Sequence, residues 1–288
     1  MGDRGAAITE DGCLVVDLTR AWGRSLEDHP IWELKHPPPA VHVRGTAAVV
    51  AARGADYNFS HFLADTLPRI QLVRDSGVCV DTWLVSSVKH GWQREALALA
   101  GIPAGDVVAL DATPLVRASA LLVPTRTGFA PRTAPWARRR LRAFLLPRPV
   151  PPGGRRLLIS RASAARRRLA NEDRLASALQ PLGFEHVAIE RLHVRDQIKL
   201  IASSEAIVAP HGAALAHLLH APPGGLIVEI THPGAVHPEY WGLAALSGWT
   251  YKLILGEATA THLSTSPTVD SDLLADIDEV LATLRAGG

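Results

Sequence analysis

The chain has few of the residues that build disulfide-linked or metal-bound scaffolds. Its 288 residues include only two cysteines, Cys13 and Cys79, and these lie too far apart in the sequence to suggest a disulfide framework or a zinc knuckle. Histidine is more frequent, with 13 residues, but no HxH or HExxH spacing occurs. The sequence therefore predicts no metal site, and it predicts both cysteines as small buried side chains.

Long apolar runs are also absent. No segment approaches the roughly 20 apolar residues that span a bilayer, and residues 1–4 lead into no signal-peptide core. No GxGxxG, Walker or GxSxG motif occurs, so the common dinucleotide, P-loop and hydrolase signatures are missing. With 47% hydrophobic residues the chain can still fill one large or two ordinary cores. We expect a soluble, cytoplasmic protein.

Acidic residues are absent between Asp111 and Glu172, a stretch that contains fourteen arginines. This charge suits a polyanion, a membrane surface or a phosphorylated small molecule, although an ordinary solvated surface accounts for much of it equally well. Only Phe129, Trp136 and Phe144 interleave with the arginines. Because so few aromatic rings make a poor stacking platform, nucleic acid is not expected as a partner.

A segment rich in proline and glycine, residues 147–154, divides the chain nearly in half. We interpret it as a linker between an N-terminal domain at 1–147 and a C-terminal domain at 148–288. In the second half short apolar runs alternate with helical segments, which predicts an α/β domain with a parallel, doubly wound sheet. The predicted strands there are 156–160, 184–188, 206–209, 226–230 and 250–253. The predicted helices there are 171–180, 194–202, 213–220, 240–246 and 271–286.

The first half has a less regular pattern. Its predicted strands are 14–16, 41–51, 82–85, 107–110 and 120–123. Its predicted helices are 60–74, 93–100 and 135–145.

One helix of the first half carries a polar face. If the segment is helical from Ser60, then His61, Asp65 and Arg69 lie at i, i+4 and i+8 on one side. A histidine and a carboxylate one turn apart suit a general base, because the carboxylate orients the imidazole, although an ordinary polar contact has the same spacing. Pro68 should kink or split the helix. The buried face is then Phe62, Leu63, Leu67 and Ile70.

The segment 205–230 reads as a strand, a turn, a helix and a second strand that ends in Glu229. Pro210 and Gly212 should end the first strand after the turn residue His211, so that the amides of 212–214 (Gly212, Ala213 and Ala214) open the helix without partners. Such a helix start attracts phosphate, and an acid at the end of the next strand is placed to hold ribose hydroxyls. A βαβ unit without a ligand has the same pattern.

Arginine also follows a strand end, at Arg161. That position suits a bidentate grip on a diphosphate beside the turn at Gly212. Of the three arginines at 166–168, at least one is expected to be plain surface, and Asn171 is expected as a helix N-cap. The DSD sequence at 270–272 resembles the DxD of metal-dependent sugar transferases, but an N-cap for the last helix explains it better.

These blocks, in order along the chain, resemble glycosyltransferase family 61. They are SHFLADTLPR at 60–69, ISR at 159–161 followed by RRLANE at 167–172, and APHGAALAHLLHAPPGGLIVEI at 209–230. The family includes bacterial capsular-polysaccharide enzymes, plant xylan arabinosyl and xylosyl transferases, and animal O-linked N-acetylglucosaminyl transferases. The resemblance extends over residues 57–230, most of the chain.

The resemblance implies a GT-B fold, in which two Rossmann-like domains face each other across a cleft. It also implies inversion at the anomeric carbon, one general base, and no obligatory metal or other cofactor. His61 and Asp65 would then face the cleft from the first domain. The donor would be bound by Arg161, Arg168, His211, Gly212, Ala213, Ala214, His217 and Glu229, with the diphosphate at the arginines and the turn and the ribose at Glu229.

The sequence departs from the family pattern in two ways. His217 stands where the family usually has asparagine, so a contact between this side chain and the donor would alter the preference for base or sugar. The chain is also short for a GT-B enzyme, which leaves the acceptor site the least defined part.

We therefore expect an inverting, metal-independent glycosyltransferase that moves a sugar from a nucleotide-activated donor to a glycan or small-molecule acceptor. The leaving group is a nucleoside diphosphate, and the base is one of His61 and Asp65, or Asp65 alone if His61 contacts the donor sugar. Two alternatives are a catalytically silent nucleotide-binding module and an arginine-rich polyanion-binding protein. Peripheral contact with a membrane surface and the oligomeric state are left open.

Overall fold

The structure is a computed structural model, and the chain divides into two compact units. The first is Met1–Phe129 with Ala134–Leu145, and the second is Ala130–Thr133 with Leu146–Gly288. The predicted linker at 147–154 falls partly outside the described residues. The residues described are 7–15, 25, 27–28, 30–33, 36, 38–113, 115–129, 132–146, 148, 150, 153–259 and 269–286.

A four-stranded parallel sheet organises the first unit. Its strand order is β3-β2-β1-β4. Strands β1 to β3 therefore follow one another in one direction across the sheet, and β4 is added on the other side of β1. Central β1 aligns Ala47 with Thr82 of β2 and with Leu121 of β4, and its buried end carries Ala47 and Ala48 with no exposed surface. The strands of this unit are β1 Val41–Val49, β2 Thr82–Val85, β3 Val107–Ala109, β4 Val116–Leu122 and the short β5 Gly128–Phe129.

Helices cover this sheet. The longest helical segment is composite: α1 is followed by a π-helical turn, Phe62–Thr66, and then by α2, which has Pro68 in its first turn. Helical residues run without a break through Pro68, so the proline does not split the helix, and the irregularity is the π-helical turn before it. The predicted buried face is confirmed, because Phe62, Leu67 and Ile70 are at most 1% exposed. The helices are α1 Phe59–His61, α2 Leu67–Asp75, α3 Gly91–Leu99 and α4 Pro135–Leu145, with 3₁₀ turns at Pro30–Glu33 and Ala104–Asp106.

A five-stranded parallel sheet organises the second unit, with strand order β11-β10-β9-β7-β8. Central β9 and β10 are almost wholly buried, as expected for parallel strands covered on both faces. The chain winds first from β7 to β8 and then back to β9, which creates a topological switch point between β7 and β9. The strands are β6 Arg132–Thr133, β7 Arg155–Ile159, β8 Phe184–Val187, β9 Ser204–Pro210, β10 Leu226–Thr231, β11 Thr250–Leu255, β12 Glu257–Ala258 and β13 Leu273–Leu274.

Helices pack around this sheet and close its core. Leu175 and Leu179 of α5 and Val280 of α8 lie with Val208 and Val228 in one buried cluster. The helices are α5 Glu172–Leu179, α6 Val194–Ala202, α7 Glu239–Ser247 and α8 Ile277–Ala286, with 3₁₀ helices at Gln180–Leu182, Ile189–Arg191, Ala213–His220 and Pro233–Ala235. Parallel sheets with intervening helices confirm the α/β class. No helix among the described residues is long and apolar enough to cross a membrane.

Four local predictions need correction. The last helix was expected from 271, but it begins at Ile277, because residues 273–274 instead form β13, which pairs with β12. Asp276 caps that helix by accepting from the Glu279 amide at 2.9 Å.

The helix after Gly212 has the predicted bounds but is 3₁₀. Cys13 and Cys79 are exposed rather than buried. In the predicted strand at 14–16, Leu14 forms only an isolated bridge with Ile8, and residue 16 lies outside the described residues.

Candidate active site

The switch point of the second unit brings two predicted donor residues together. Open α/β sheets bind ligands outside the carboxyl ends of their strands, where the order of winding reverses. Arg161 follows β7 and His211 follows β9, the two adjacent strands at that point. Residues fifty positions apart in the sequence therefore meet at one edge of the sheet.

The Arg161 guanidinium lies directly against Gly212. A Cβ atom added to Gly212 would lie 2.9 Å from Cζ and 3.3 Å from Cδ of Arg161, and closer still to Nη1. Two other nitrogens of the guanidinium donate to the turn that follows, Nε to the Arg167 carbonyl at 3.3 Å and Nη2 to the Arg166 carbonyl at 3.2 Å. These bonds hold the guanidinium with Nη1 over the glycine, so Gly212 is required for this close approach.

This corner of the site is positive and has free donors. Among the described residues, no group accepts a hydrogen bond from the amides of 212–214, and Arg161 forms no ion pair with a carboxylate. Burial lowers the pKa of the Arg161 guanidinium, and the neighbouring charge of Arg167 lowers it further. A partly buried arginine beside unpaired helix-start amides is an arrangement that binds anions.

Glu229 has a different position from the one expected of a ribose ligand. Its side chain is only 1% exposed, and both oxygens are engaged. Oε1 lies 2.5 Å from Nδ1 of His211, and Oε2 accepts from the Tyr251 hydroxyl at 2.8 Å. A carboxylate enclosed in this way presents no free edge for sugar hydroxyls, so the structure gives the predicted ribose contact no support.

His217 is likewise turned into the protein. A 3₁₀ helix has three residues per turn, so His217 and His220 share one face, and both are fully buried with ring centroids 5.9 Å apart. Nε2 of His217 lies 2.8 Å from Oε1 of Gln197 on α6. Burial lowers the pKa of His217 to about 3. Contact between this side chain and a donor is therefore not supported, because packing against α6 has taken its place.

Arg168 and its neighbours are bound to the DSD segment. Arg168 donates through Nε and Nη2 to Asp272 at 2.9 and 2.7 Å, and Asp272 also accepts the Arg168 amide. Asp270 accepts from Arg166 at 2.9 Å. Arg168 thus holds the turn in place rather than being a free donor to a ligand, and Asp270 and Asp272 are ion-pair partners rather than helix caps. Nowhere in the described ranges do three or more His, Cys, Asp or Glu side chains cluster as metal ligands.

Two residues that the sequence pattern did not indicate hold groups next to the Arg161–Gly212 corner in place. Glu172 is 6% exposed and accepts the Arg161 amide at 3.1 Å, so it fixes the backbone from which the guanidinium extends. Tyr251 lies on β11 two residues before the partner of Glu229, Leu253, and hence on the same face of the sheet. Asn171 precedes α5 as predicted, but its side chain bonds to the Ala275 backbone instead of capping the helix.

The first unit contains the predicted His–Asp pair. Nδ1 of His61 lies 3.0 Å from Oδ2 of Asp65, and each side chain is 23% exposed. Gly54, which follows β1, packs against the His61 ring, because an added Cβ would lie 2.8 Å from Cδ2. The pair is therefore beside the carboxyl edge of the sheet, and Asp65 lies on a π-helical turn of the kind often found at functional sites. Arg69 was expected on the same polar face but is 7% exposed and donates to the Ala51 carbonyl.

The match to known families agrees with this chemistry. A family model described as Glycosyltransferase 61 matches residues 59–228, more than half of the chain. The protein is thus a glycosyltransferase, an enzyme that transfers sugar from a donor to an acceptor. It belongs to glycosyltransferase family 61, and the matched region includes both the His61–Asp65 pair and the Arg161–Gly212 corner. No curated protein matches the chain.

Proposed function

We propose that the protein is an inverting, metal-independent glycosyltransferase that uses a nucleotide-activated sugar. The observation that carries the proposal is the contact between Arg161 and Gly212 at the switch point of the second sheet. Within the described residues, it combines a guanidinium that forms no ion pair with a carboxylate and backbone amides that have no acceptor. That pairing suits a diphosphate, whose charge grows as the bond to the sugar breaks.

In this mechanism the donor binds to the C-terminal half of the chain and the acceptor to the N-terminal half, in a GT-B arrangement. The acceptor is a hydroxyl group of a glycan or small molecule. His61 or Asp65 removes the hydroxyl proton as the oxygen attacks the anomeric carbon, and the nucleoside diphosphate leaves from the opposite face. The short distance between Nδ1 and Oδ2 supports a pair in which the carboxylate orients the imidazole.

A binding screen followed by one variant pair tests the proposal. Nucleoside diphosphates and nucleotide sugars are first screened for an increase in melting temperature, because a ligand of the folded state stabilises it. The dissociation constant of each binder is then measured by calorimetry for Arg161→Ala. Loss of a charge-assisted bond of about 1.5–3 kcal/mol corresponds to about 10–150-fold weaker binding.

Arg155→Ala is the matched control, because Arg155 begins the same strand at the opposite edge of the sheet. There it donates from Nε to Glu185 at 2.8 Å, and its removal should leave nucleotide affinity unchanged. Equal affinity of wild type and Arg161→Ala would place the diphosphate elsewhere.

The same screen separates the alternatives. A nucleotide that binds without transfer or hydrolysis would indicate a catalytically silent module. Binding that ignores the nucleoside and weakens steeply with salt would indicate a polyanion-binding protein. The structure gives that last alternative less support than the sequence did, because several arginines of the stretch are paired with carboxylates. These are Arg140, Arg155, Arg156, Arg166 and Arg168.

A further inference from the structure

The turn after β7 has an unusual backbone conformation at Arg167. The φ angle there is 56°, and among the described residues Arg167 is the only residue other than glycine with a positive φ. This left-handed region is disfavoured for a residue that has a Cβ atom, whereas glycine occupies it without that cost. Backbone strain of this kind occurs mostly at functional sites. The turn therefore has an arginine where the backbone favours a glycine.

The Arg167 side chain gains little from the described part of the protein. It is 19% exposed, and its Nε atom is buried with no hydrogen-bond partner among the described residues. Its ion pair with Oδ1 of Asp270 has a length of 3.7 Å, which is too long for a hydrogen bond, and the Asp270 side chain is 46% exposed. A buried donor without a partner is costly. Stabilisation of the fold thus does not account for an arginine at this position.

The arginines on either side of Arg167 have closer partners. Arg166 pairs with Asp270 at 2.9 Å, and Arg168 pairs with Asp272 at 2.7 Å. Both of these arginine side chains are about half exposed, 54% and 45%, so the two pairs lie at the surface. Arg167 differs from both neighbours because it is mostly buried and has only a distant carboxylate.

The backbone of Arg167 contacts the Arg161–Gly212 corner. Its carbonyl accepts from Nε of Arg161 at 3.3 Å, and Cζ of Arg161 lies 2.9 Å from the position of a Cβ added to Gly212. Of the charges that act on Arg161, that of Arg167 has the largest effect on the pKa of the guanidinium, which it lowers. In the described part of the chain, neither arginine donates a hydrogen bond to a carboxylate. An anion with more than one charged group would offset the repulsion between them.

We propose that Arg167 is a second diphosphate-binding residue, which together with Arg161 contacts the two phosphoryl groups of the nucleotide and favours a diphosphate over a monophosphate. The assignment rests on the proposed function. A phosphate oxygen supplies the acceptor that the Arg167 guanidinium lacks among the described residues. The strained backbone places this side chain beside Arg161, and Arg167 takes the role that the sequence suggested for Arg168.

Arg167→Gly separates nucleotide binding from stability. Glycine adopts the same φ without strain and keeps the carbonyl that accepts from Arg161, so the unfolding free energy in chemical denaturation should be unchanged or higher. The dissociation constants of UDP, GDP, CDP and ADP in calorimetry should increase by about 10–150-fold, the loss of one charge-assisted hydrogen bond. Those of the matching monophosphates should increase less, because these ligands have one phosphoryl group fewer. An arginine with a purely structural role would give lower stability and unchanged affinity.

Arg166→Ala is the matched control. Arg166 belongs to the same turn, and the variant keeps the backbone carbonyl that accepts from Arg161. Its diphosphate affinity should change by less than about threefold, because an exposed ion pair contributes little. Arg167→Asn is the second test variant, since asparagine also tolerates the left-handed conformation but has no charge, and it should weaken diphosphate binding as Arg167→Gly does.

Three results would overturn the inference. They are wild-type diphosphate affinity in Arg167→Gly, an equal loss of affinity in Arg166→Ala, and failure of both Arg167 variants to fold. In each case the proposed function would still stand if Arg161→Ala weakens diphosphate binding. If none of the four diphosphates binds to the wild-type chain, the proposed function fails together with the inference.

Discussion

Substitution of Gly212 by alanine is a sensitive test of the proposed diphosphate site at Arg161 and Gly212, because the effect should act entirely through Arg161. The φ angle of Gly212 is 179°, an extended conformation that alanine adopts without strain. The added Cβ would instead occupy space held by the guanidinium, 2.9 Å from its Cζ. Since the guanidinium is the end of a flexible side chain, it should swing away while the fold remains intact.

The expected magnitude follows from what Arg161 loses. Its displacement removes one charge-assisted bond to the diphosphate, about 1.5–3 kcal/mol, or about 10–150-fold in dissociation constant. The unfolding free energy should change little or rise slightly, because replacing glycine at a compatible backbone angle restricts the unfolded chain. Calorimetry with the best-binding nucleoside diphosphate and chemical denaturation give the two values separately.

A double-mutant cycle makes the reasoning refutable. In an Arg161→Ala background, Gly212→Ala should change the affinity by less than about 0.5 kcal/mol, because the group it displaces is already absent. Gly105→Ala is the control, since no atom of the described residues lies within 4 Å of an added Cβ there. Full affinity of Gly212→Ala, or additive losses in the double variant, would show that the guanidinium does not bind the diphosphate from this position.

Four other outcomes are expected. His61→Ala and Asp65→Asn should each lower turnover by about 10²–10⁴-fold with donor affinity unchanged, and normal turnover in both would remove this helix from the mechanism. Activity should survive EDTA, and a loss restored by Mn²⁺ would contradict metal independence. Asp272→Asn should weaken diphosphate binding by about 2–10-fold through the turn that holds Arg161, whereas exposed Asp270→Asn should have a smaller effect. Burial lowers the pKa of His217 to about 3, whereas an unperturbed histidine has a pKa of about 6.5. The unfolding free energy should therefore fall as the pH drops from about 6.5 toward 3, because only the unfolded state binds the proton in that window. In chemical denaturation, the unfolding free energy of His217→Asn should fall less over the same window.

The secondary structure of the second half was predictable because its signals are local. Short apolar runs bounded by proline and glycine marked β9 and β10, and α6 has the predicted bounds, 194–202. The spacing of His61 and Asp65 was predictable for the same reason, since an i, i+4 pair depends only on helical geometry. The failed prediction of the last helix has a non-local cause. Residues 273–274 pair with β12, and the Leu273 amide bonds to the Arg168 carbonyl.

The sequence by itself determined the α/β class, the family and the residue types at the Arg161–Gly212 corner, because each depends on contiguous segments. The tertiary structure alone decided which contacts each of these side chains makes. Glu229 and His217 had the right chemistry for a donor contact, yet sheet register joined Glu229 to Tyr251, and packing against α6 buried His217. Arg161 and Arg168 look equivalent in the sequence. Arg161 lies against a glycine and forms no ion pair with any carboxylate in the described part of the chain, whereas Arg168 is paired with Asp272, a residue 104 positions away. Such differences depend on contacts between distant segments, which no local pattern records.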